Sequence, residues 1–282
     1  MSVLEKVIGI VPAGGLGTRM KPFKLWKELI PVGYKEYSDG QKSKFIPKLI
    51  AEYTIDNMVR AGAKRIVMVL NEQKIELLRF FGNGSLNGAS IAYLCQDTSR
   101  NITGMPIAID EGYRWLKDCT VMMGMPDTIV EPFDCFKQLL EMSNEKKADL
   151  TLGVFPTNKP HRLAPVVINS NTSKVEIIYD KPKETRIFNT WNIAVWSNRF
   201  TELLHEYVWD YVSKKENTGT EILLSDIFNA AIKEGLNVYA KFFQNGRCYD
   251  LGNIDEFMAT RSEIEGTYAA CSIMKTESGR QT

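Results

Sequence analysis

The residues best placed to do chemistry lie near the start of the chain, in the stretch VPAGGLGTRMKPFKLWKELIPV from Val11 to Val32. An apolar run breaks there into Gly14-Gly15-Leu16-Gly17-Thr18-Arg19. Glycines remove side chains and permit positive φ, so main-chain N–H groups can close on an anionic phosphate. Thr18 can add a hydroxyl donor, and Arg19 a planar fork of donors suited to a polyphosphate. Two common phosphate-loop patterns do not fit. No Gly-Lys-Ser/Thr follows at Walker spacing, and the third glycine of a dinucleotide fingerprint is replaced by Met20.

Two acids share a second pattern. Asp127 follows the apolar Val121-Met122-Met123 and Gly124-Met125-Pro126, and an open α/β sheet gathers its ligand-binding residues at such strand ends. Asp250 lies in Arg247-Cys248-Tyr249-Asp250-Leu251-Gly252-Asn253. An Asp after a strand also caps helices and turns, so the residues alone leave both roles open. Gln96 closes Tyr93-Leu94-Cys95-Gln96, and its amide offers both a donor and an acceptor. Taken alone, such a glutamine is more often a surface residue. His161 and His205 have no Asp, Cys or Ser at a useful spacing, and no nucleophile is assigned.

These residues need elements to hold them. The run Val7–Val11 predicts a buried strand, and Leu49–Ala61 an amphipathic helix stopped by Gly62. The order then repeats: strand Arg65–Leu70, helix Ile75–Phe81, strand Ile91–Cys95, helix Pro106–Leu116 and strand Val121–Met123. Such alternation predicts an α/β fold, a Rossmann-like, mixed but mostly parallel sheet with helices on both faces. After about Asp149 short β-rich segments dominate, at Leu150–Phe155, Pro165–Ile168, Val175–Tyr179 and Ile193–Trp196. Helices near Arg199–Val212 and Glu221–Glu234 and a strand at Val238–Phe243 follow. With no Gly/Ser- or Pro-rich linker, the reading is one domain over 1–265. A nucleotide-binding half (about 1–150) and a second half (about 151–265) make it up, followed by a polar tail at 266–282. There are no internal repeats.

Composition excludes several classes. The 282 residues carry 35 Lys plus Arg against 34 Asp plus Glu, a net charge of +1, so the basic footprint of a nucleic-acid binder is absent. No apolar run approaches the roughly 20 residues of a membrane span. Cys95, Cys119, Cys135, Cys248 and Cys271 are widely spaced with no CxxC, which indicates neither a zinc site nor a disulfide framework. The expectation is a soluble cytoplasmic protein with no nucleic-acid or membrane partner.

One known pattern fits the glycine segment. Gly-x-Gly-Thr-Arg-x-x-Pro (Gly15 to Pro22) followed by Lys-Glu-Leu-x-Pro-Val (Lys27 to Val32) resembles the signature of the sugar-1-phosphate nucleotidylyltransferases. This family includes glucose-1-phosphate thymidylyl- and uridylyltransferases. The resemblance runs over roughly residues 5–260 and implies that family's nucleotide-diphospho-sugar transferase fold. It implies a reaction joining a nucleoside triphosphate, dTTP or UTP by preference, to a sugar 1-phosphate with release of pyrophosphate. Ala13, Gly14, Gly15, Gly17 and Thr18 would line the nucleotide, Gln96 and Gly104 would meet the base, and Asp127 and Asp250 would share one Mg²⁺. Arg19 and Lys27 would act on the phosphates. In the second half, Asp180-Lys181-Pro182 resembles the family's Glu-Lys-Pro, so that Lys181 would hold the sugar phosphate and Asp180 a hydroxyl. Glu221 matches a family segment and would reach the sugar. The family's dimers and tetramers leave a homo-oligomer open.

The match loosens at named positions. Pro165 and Asn192 stand where the family has sugar-facing glycines, which implies a sugar other than plain glucose 1-phosphate. Trp26 replaces a proline beside Lys27, and Gly33–Lys44 reads as a polar inserted surface loop, a lid or an oligomer contact. A non-catalytic sugar-nucleotide sensor is one alternative. Another is a glycosyltransferase on a related fold, although no Asp-x-Asp triplet is present.

Overall fold

The computed structural model describes residues 6–38, 40, 42–97, 102–214 and 221–264. The polar tail expected at 266–282 lies outside them. In the first half the chain forms β1 (Val7–Pro12), β2 (Pro31–Ser38), β3 (Ser43–Leu49), α1 (Ile50–Arg60), β4 (Arg65–Leu70), α2 (Ile75–Phe81) and β5 (Ser90–Cys95). Next come α3 (Met105–Asp110), α4 (Tyr113–Leu116), β6 (Thr120–Met123), β7 (Thr128–Glu131) and α5 (Cys135–Lys146). The second half adds β8 (Leu150–Pro156), β9 (Val166–Ile168), β10 (Val175–Ile178), β11 (Asn189–Trp196), α6 (Asn198–Lys214), α7 (Leu224–Lys233), β12 (Val238–Phe242) and β13 (Arg247–Asp250).

Seven strands form one sheet in the order β12-β8-β11-β6-β1-β4-β5. Strands β6, β1, β4 and β5 run parallel, and β11 lies antiparallel between β6 and β8. This is the Rossmann-like mixed sheet expected from the alternation. The interior strand β1 is apolar because both of its faces are covered. Ile8 and Ile10 face one core with Trp196, Phe200 and Phe228, while Val7 and Val11 face the other with Ile55, Phe136 and Phe155. Gly9 lets α1 approach, since a Cβ there would lie 2.8 Å from Met58 Sδ.

A third, smaller core lies beneath the loops at one end of the sheet. It joins Met20, Ile30, Ile129, Tyr249 and Leu251, each within a few residues of Arg19, Lys27, Asp127 or Asp250. Apolar burial of these neighbours, at roughly 25 cal/mol per Å², holds the polar residues that stand between them.

The structure corrects the expected elements in four places. Of the polar surface loop expected at 33–44, residues 33–38 and 43–44 instead belong to the paired strands β2 and β3, with Tyr34 opposite Pro47 and Ser38 opposite Ser43. The helix expected over Pro106–Leu116 is divided at Glu111–Gly112 into α3 and α4. Helix α5 was not anticipated, although Phe136, Leu139, Leu140 and Ser143 bury one face at helical spacing. Finally, the helix expected from Glu221 begins only at Leu224, and Glu221 sits before it in a bridge to Thr103. Among the described residues no helix is long and apolar enough to cross a membrane.

Candidate active site

The glycine loop leaves β1 at its C-terminal end. Ala13 stays tied to the sheet by donating to Val69 O at 2.8 Å. Gly17 adopts φ +61° and opens a single 3-10 turn over Thr18–Met20, a conformation that favours glycine. A Cβ at Gly15 or Gly17 would meet nothing within 4 Å, so the loop backbone is open to a ligand. At Gly14 the reverse holds, for a Cβ there would lie 2.4 Å from Gln96 Oε1. The structure thus brings Gln96, at the end of β5, against the first glycine of the loop.

Asp250 and Asp127 meet through a separate ladder. Strand β13 pairs antiparallel with β7, setting Asp250 opposite Thr128, and Leu251 N donates to Asp127 O at 3.0 Å. Around Gly252 the charged groups converge. A Cβ added there would stand 2.8 Å from Asp250 Oδ1, 2.9 Å from Asp127 Oδ2 and 3.2 Å from Arg19 Nη2. Gly252 also donates its N–H to Asp250 Oδ1 at 2.9 Å. Burial first, and then the Asp127 charge, push the Asp250 carboxyl above the usual aspartate range, against the opposing pull of the Gly252 N–H, Arg19 and Lys27. Lys27 Nζ pairs with Asp127 Oδ2. Burial draws the lysine's pKa down, but the Asp127 charge and hydrogen bond outweigh it, and the net direction is up.

This donor set suits a hard cation. It is all oxygen, it holds two carboxylates, and the space between them is one that a single methyl group would fill. Mg²⁺ takes one or two carboxylates together with substrate phosphates. Among the described residues no group of three or more His, Cys, Asp and Glu gathers as a self-sufficient metal site.

Behind Lys27 lies a buried network that sequence reasoning missed. Glu28 and Lys74 are 1% and 0% exposed, and Lys74 Nζ donates to Glu28 Oε1 at 2.6 Å and to Ala13 O at 2.8 Å. The Trp26 ring lies 5.2 Å from the same ammonium, and Trp26 Nε1 donates to Glu76 Oε2 at 3.1 Å. The tryptophan that departs from the family pattern therefore has its own partners. Burial lowers the pKa of Lys74, opposed by the charge of Glu28. The one sequence signal was Lys74 itself, a lysine followed at once by the apolar α2.

Of the residues assigned to the sugar, Pro165, Asp180, Lys181 and Asn192 lie in or beside strands tied to the segment 163–165, whereas Glu221 is bridged to Thr103. Leu163 O accepts from Lys181 N at 2.8 Å, Ala164 O from Trp191 N at 3.4 Å, and Pro165 O from Tyr179 N at 3.0 Å. Asn192 is buried at a register shift of β11, and its Oδ1 has no partner among the described residues. Asp180 and Lys181 are exposed and 3.9 Å apart, and neither hydrogen-bonds to or ion-pairs with the Arg19–Asp127–Asp250 group. Lys181 has φ +43°, a left-handed conformation strained for a non-glycine residue and frequent at functional sites. Gly104 has φ +135°, and a Cβ there would strike Ile222 O at 2.2 Å. Its lack of a side chain is thus required by the chain's own packing. Asp226, which the sequence did not single out, has its pKa raised by burial and by the nearby Asp180 charge.

His205, read as a helix residue without an acidic partner, does sit on α6 but has one. Its Nδ1 lies 2.8 Å from Asp110 Oδ1, and its ring stacks on Tyr113 at 3.7 Å. Both partners come from the α3–α4 region, which no spacing rule links to α6.

The chain is thus an open α/β sheet whose glycine-rich loop leaves the end of β1 and brings Arg19 beside two convergent carboxylates. The model of the nucleotidyl transferase family matches residues 8–266, and the chain belongs to that family. It is 24% identical over 181 residues to a mannose-1-phosphate guanyltransferase of Yarrowia lipolytica, a match covering 62% of this chain. The match spans less than half of that relative, 45% of its length. Among solved structures, the fold is similar to that of a Bacillus anthracis protein provisionally assigned as a glucose-1-phosphate thymidylyltransferase, crystallised with sucrose. The TM-score is 0.76 at 19% identity, covering 92% of this chain and 95% of that one.

Proposed function

We propose that the protein transfers a nucleotidyl group from a nucleoside triphosphate to a sugar 1-phosphate, releasing pyrophosphate. The observation that carries this reading is the convergence of Arg19, Asp127 and Asp250 around Gly252, with Lys27 on Asp127. A sugar-phosphate oxygen forms the new bond to the α-phosphorus as the α–β phosphoanhydride bond breaks and pyrophosphate leaves with its electron pair. Such a reaction asks the protein for positioning and charge neutralisation rather than a covalent intermediate. The open amides of the loop and the Thr18 hydroxyl bind the triphosphate. Arg19 neutralises the departing pyrophosphate. Lys27 shifts from Asp127 to the α-phosphate, where charge builds, and Lys181 anchors the attacking phosphate. Asp127 and Asp250 would hold Mg²⁺, whose chemistry there is neutralisation of the reacting phosphates. We treat residues 1–265 as one working unit, since strands of both halves share the central sheet.

The resemblance to thymidylyl- and uridylyltransferases favours a pyrimidine donor, dTTP or UTP, which Gln96 beside the loop would meet, whereas the name of the Yarrowia relative makes GTP the alternative. Pro165 and the buried Asn192 favour a sugar other than glucose. The deciding experiment crosses ATP, GTP, CTP, UTP and dTTP with a panel of sugar 1-phosphates and reads pyrophosphate release with Mg²⁺, using Asp127→Asn as the blank. A metal-dependent signal absent from the variant identifies both substrates. Nucleotide binding without turnover across the panel would instead make the chain a sensor, and sugar transfer to an acceptor would make it a glycosyltransferase.

A further inference from the structure

The buried Glu28–Lys74 pair is poorly explained by stability. Two charges taken out of water repay their desolvation only when every remaining hydrogen-bonding site is satisfied. Here Glu28 Oε2 is buried without a partner among the described residues, so the network is incomplete. An apolar pair of similar volume would hold the same elements at least as firmly. What the pair does supply is a fixed distance. Lys27 and Glu28 are successive residues of one 3-10 turn, Lys27–Leu29, and their side chains reach different partners. Lys27 reaches Asp127, and Glu28 reaches Lys74, which is bonded to Ala13 O at the root of the glycine loop. One ammonium therefore ties the Lys27 turn to the backbone that opens toward phosphate. The Trp26 indole, on the residue before Lys27, covers the same ammonium.

We propose that Lys74 is a positioning residue. Through Glu28 it sets where the Lys27 turn stands relative to the glycine loop, and so where Lys27 Nζ can reach. The effect on turnover rests on the function proposed above, whereas the effect on Lys27 does not.

The test uses the full chain carrying Glu28→Leu/Lys74→Met, which removes both charges together, and Glu28→Gln, which keeps an acceptor for Lys74. The primary readout is the rate at which Lys27 is acetylated by dilute acetic anhydride, followed by mass spectrometry, with Tm measured alongside. In the wild type Lys27 is protected by its pairing with Asp127. In the double variant Tm is held or raised, yet Lys27 labels several-fold faster, while Glu28→Gln labels like wild type. Should the double variant not be recovered folded, Trp26→Leu, at the half-buried edge of the cluster, is expected to speed Lys27 labelling in the same direction. Unchanged Lys27 labelling in a folded double variant, or in Trp26→Leu where that variant substitutes for it, overturns the proposal. In the pyrophosphate assay kcat falls on the order of 10²-fold with nucleotide KM nearly unchanged, the cost of a misplaced group rather than of lost binding. A wild type that turns nothing over defeats the reading of function and leaves positioning to be decided by the labelling.

Discussion

Asp250 sits directly opposite Thr128 in the β7–β13 ladder, and this pairing carries its carboxylate to the side of Asp127. Two acids from distant parts of the chain then share one small space around Gly252, with Arg19 as their cationic neighbour. Like charges held this close, and half out of water, make the metal-free site costly and a cation welcome.

That cost has a sign that can be measured. Burial, followed by the Asp127 charge, raises the folded-state pKa of Asp250 above the usual aspartate range, so the folded chain holds this proton more tightly than the unfolded chain. This contribution to stability is present at low pH and is lost as pH rises from the unfolded value through the raised folded one. Asp250→Asn abolishes it. The variant's metal-free Tm should exceed that of the wild type at neutral pH and converge toward it near about pH 4. Parallel Tm–pH curves from calorimetry would sink the argument. Turnover in the same variant should fall by on the order of 10²–10³.

Lys27 pairs with Asp127, so in the proposed mechanism it leaves when a cation enters. Lys27→Met should therefore bind Mg²⁺ more tightly in the absence of substrate, as read by titration calorimetry. Its turnover should nonetheless fall on the order of 10²–10³-fold, because the charge proposed to act on the α-phosphate is removed. Weaker Mg²⁺ binding in the variant would mean that the lysine does not compete for the site.

Two glycines should respond differently to the same added methyl. At Gly14 the obstacle is the tip of the Gln96 side chain, which can swing away, so Gly14→Ala should leave Tm nearly unchanged and raise the nucleotide KM. At Gly104 the obstacle is the Ile222 carbonyl, and φ is +135°, so Gly104→Ala should destabilise by about 1–3 kcal/mol in denaturant unfolding. Equal effects on stability would show that the two environments had been misread.

Asn192 buries an acceptor with no partner among the described residues. Asn192→Gly removes that desolvated group and reopens backbone approach, so Tm should hold or rise. Across the sugar panel the variant should gain activity toward glucose 1-phosphate relative to wild type. A variant whose sugar preference is unmoved would take Asn192 out of the sugar pocket.

By itself the sequence determined the features that depend on neighbours along the chain. The apolar run Val7–Val11 made β1, the periodicity of Leu49–Ala61 made α1, and the spacing of Gly14, Gly15 and Gly17 made an open loop, because backbone sterics and side-chain period act over a few residues. Where two signals competed, the local reading failed. Residues 33–38 and 43–44 of the polar segment lie in paired strands, and Gly112 interrupts a helix that its apolar residues suggested. Only the tertiary structure decided which distant groups meet. Nothing in local spacing says that Asp250 will lie opposite Thr128, that Lys74 will find Glu28 and Ala13, or that His205 will find Asp110. Those meetings follow from which strands become neighbours and from how the small core of Met20, Ile30, Ile129, Tyr249 and Leu251 closes. Burial then turns proximity into chemistry, because charges that water would screen at the surface act strongly on one another once it is excluded.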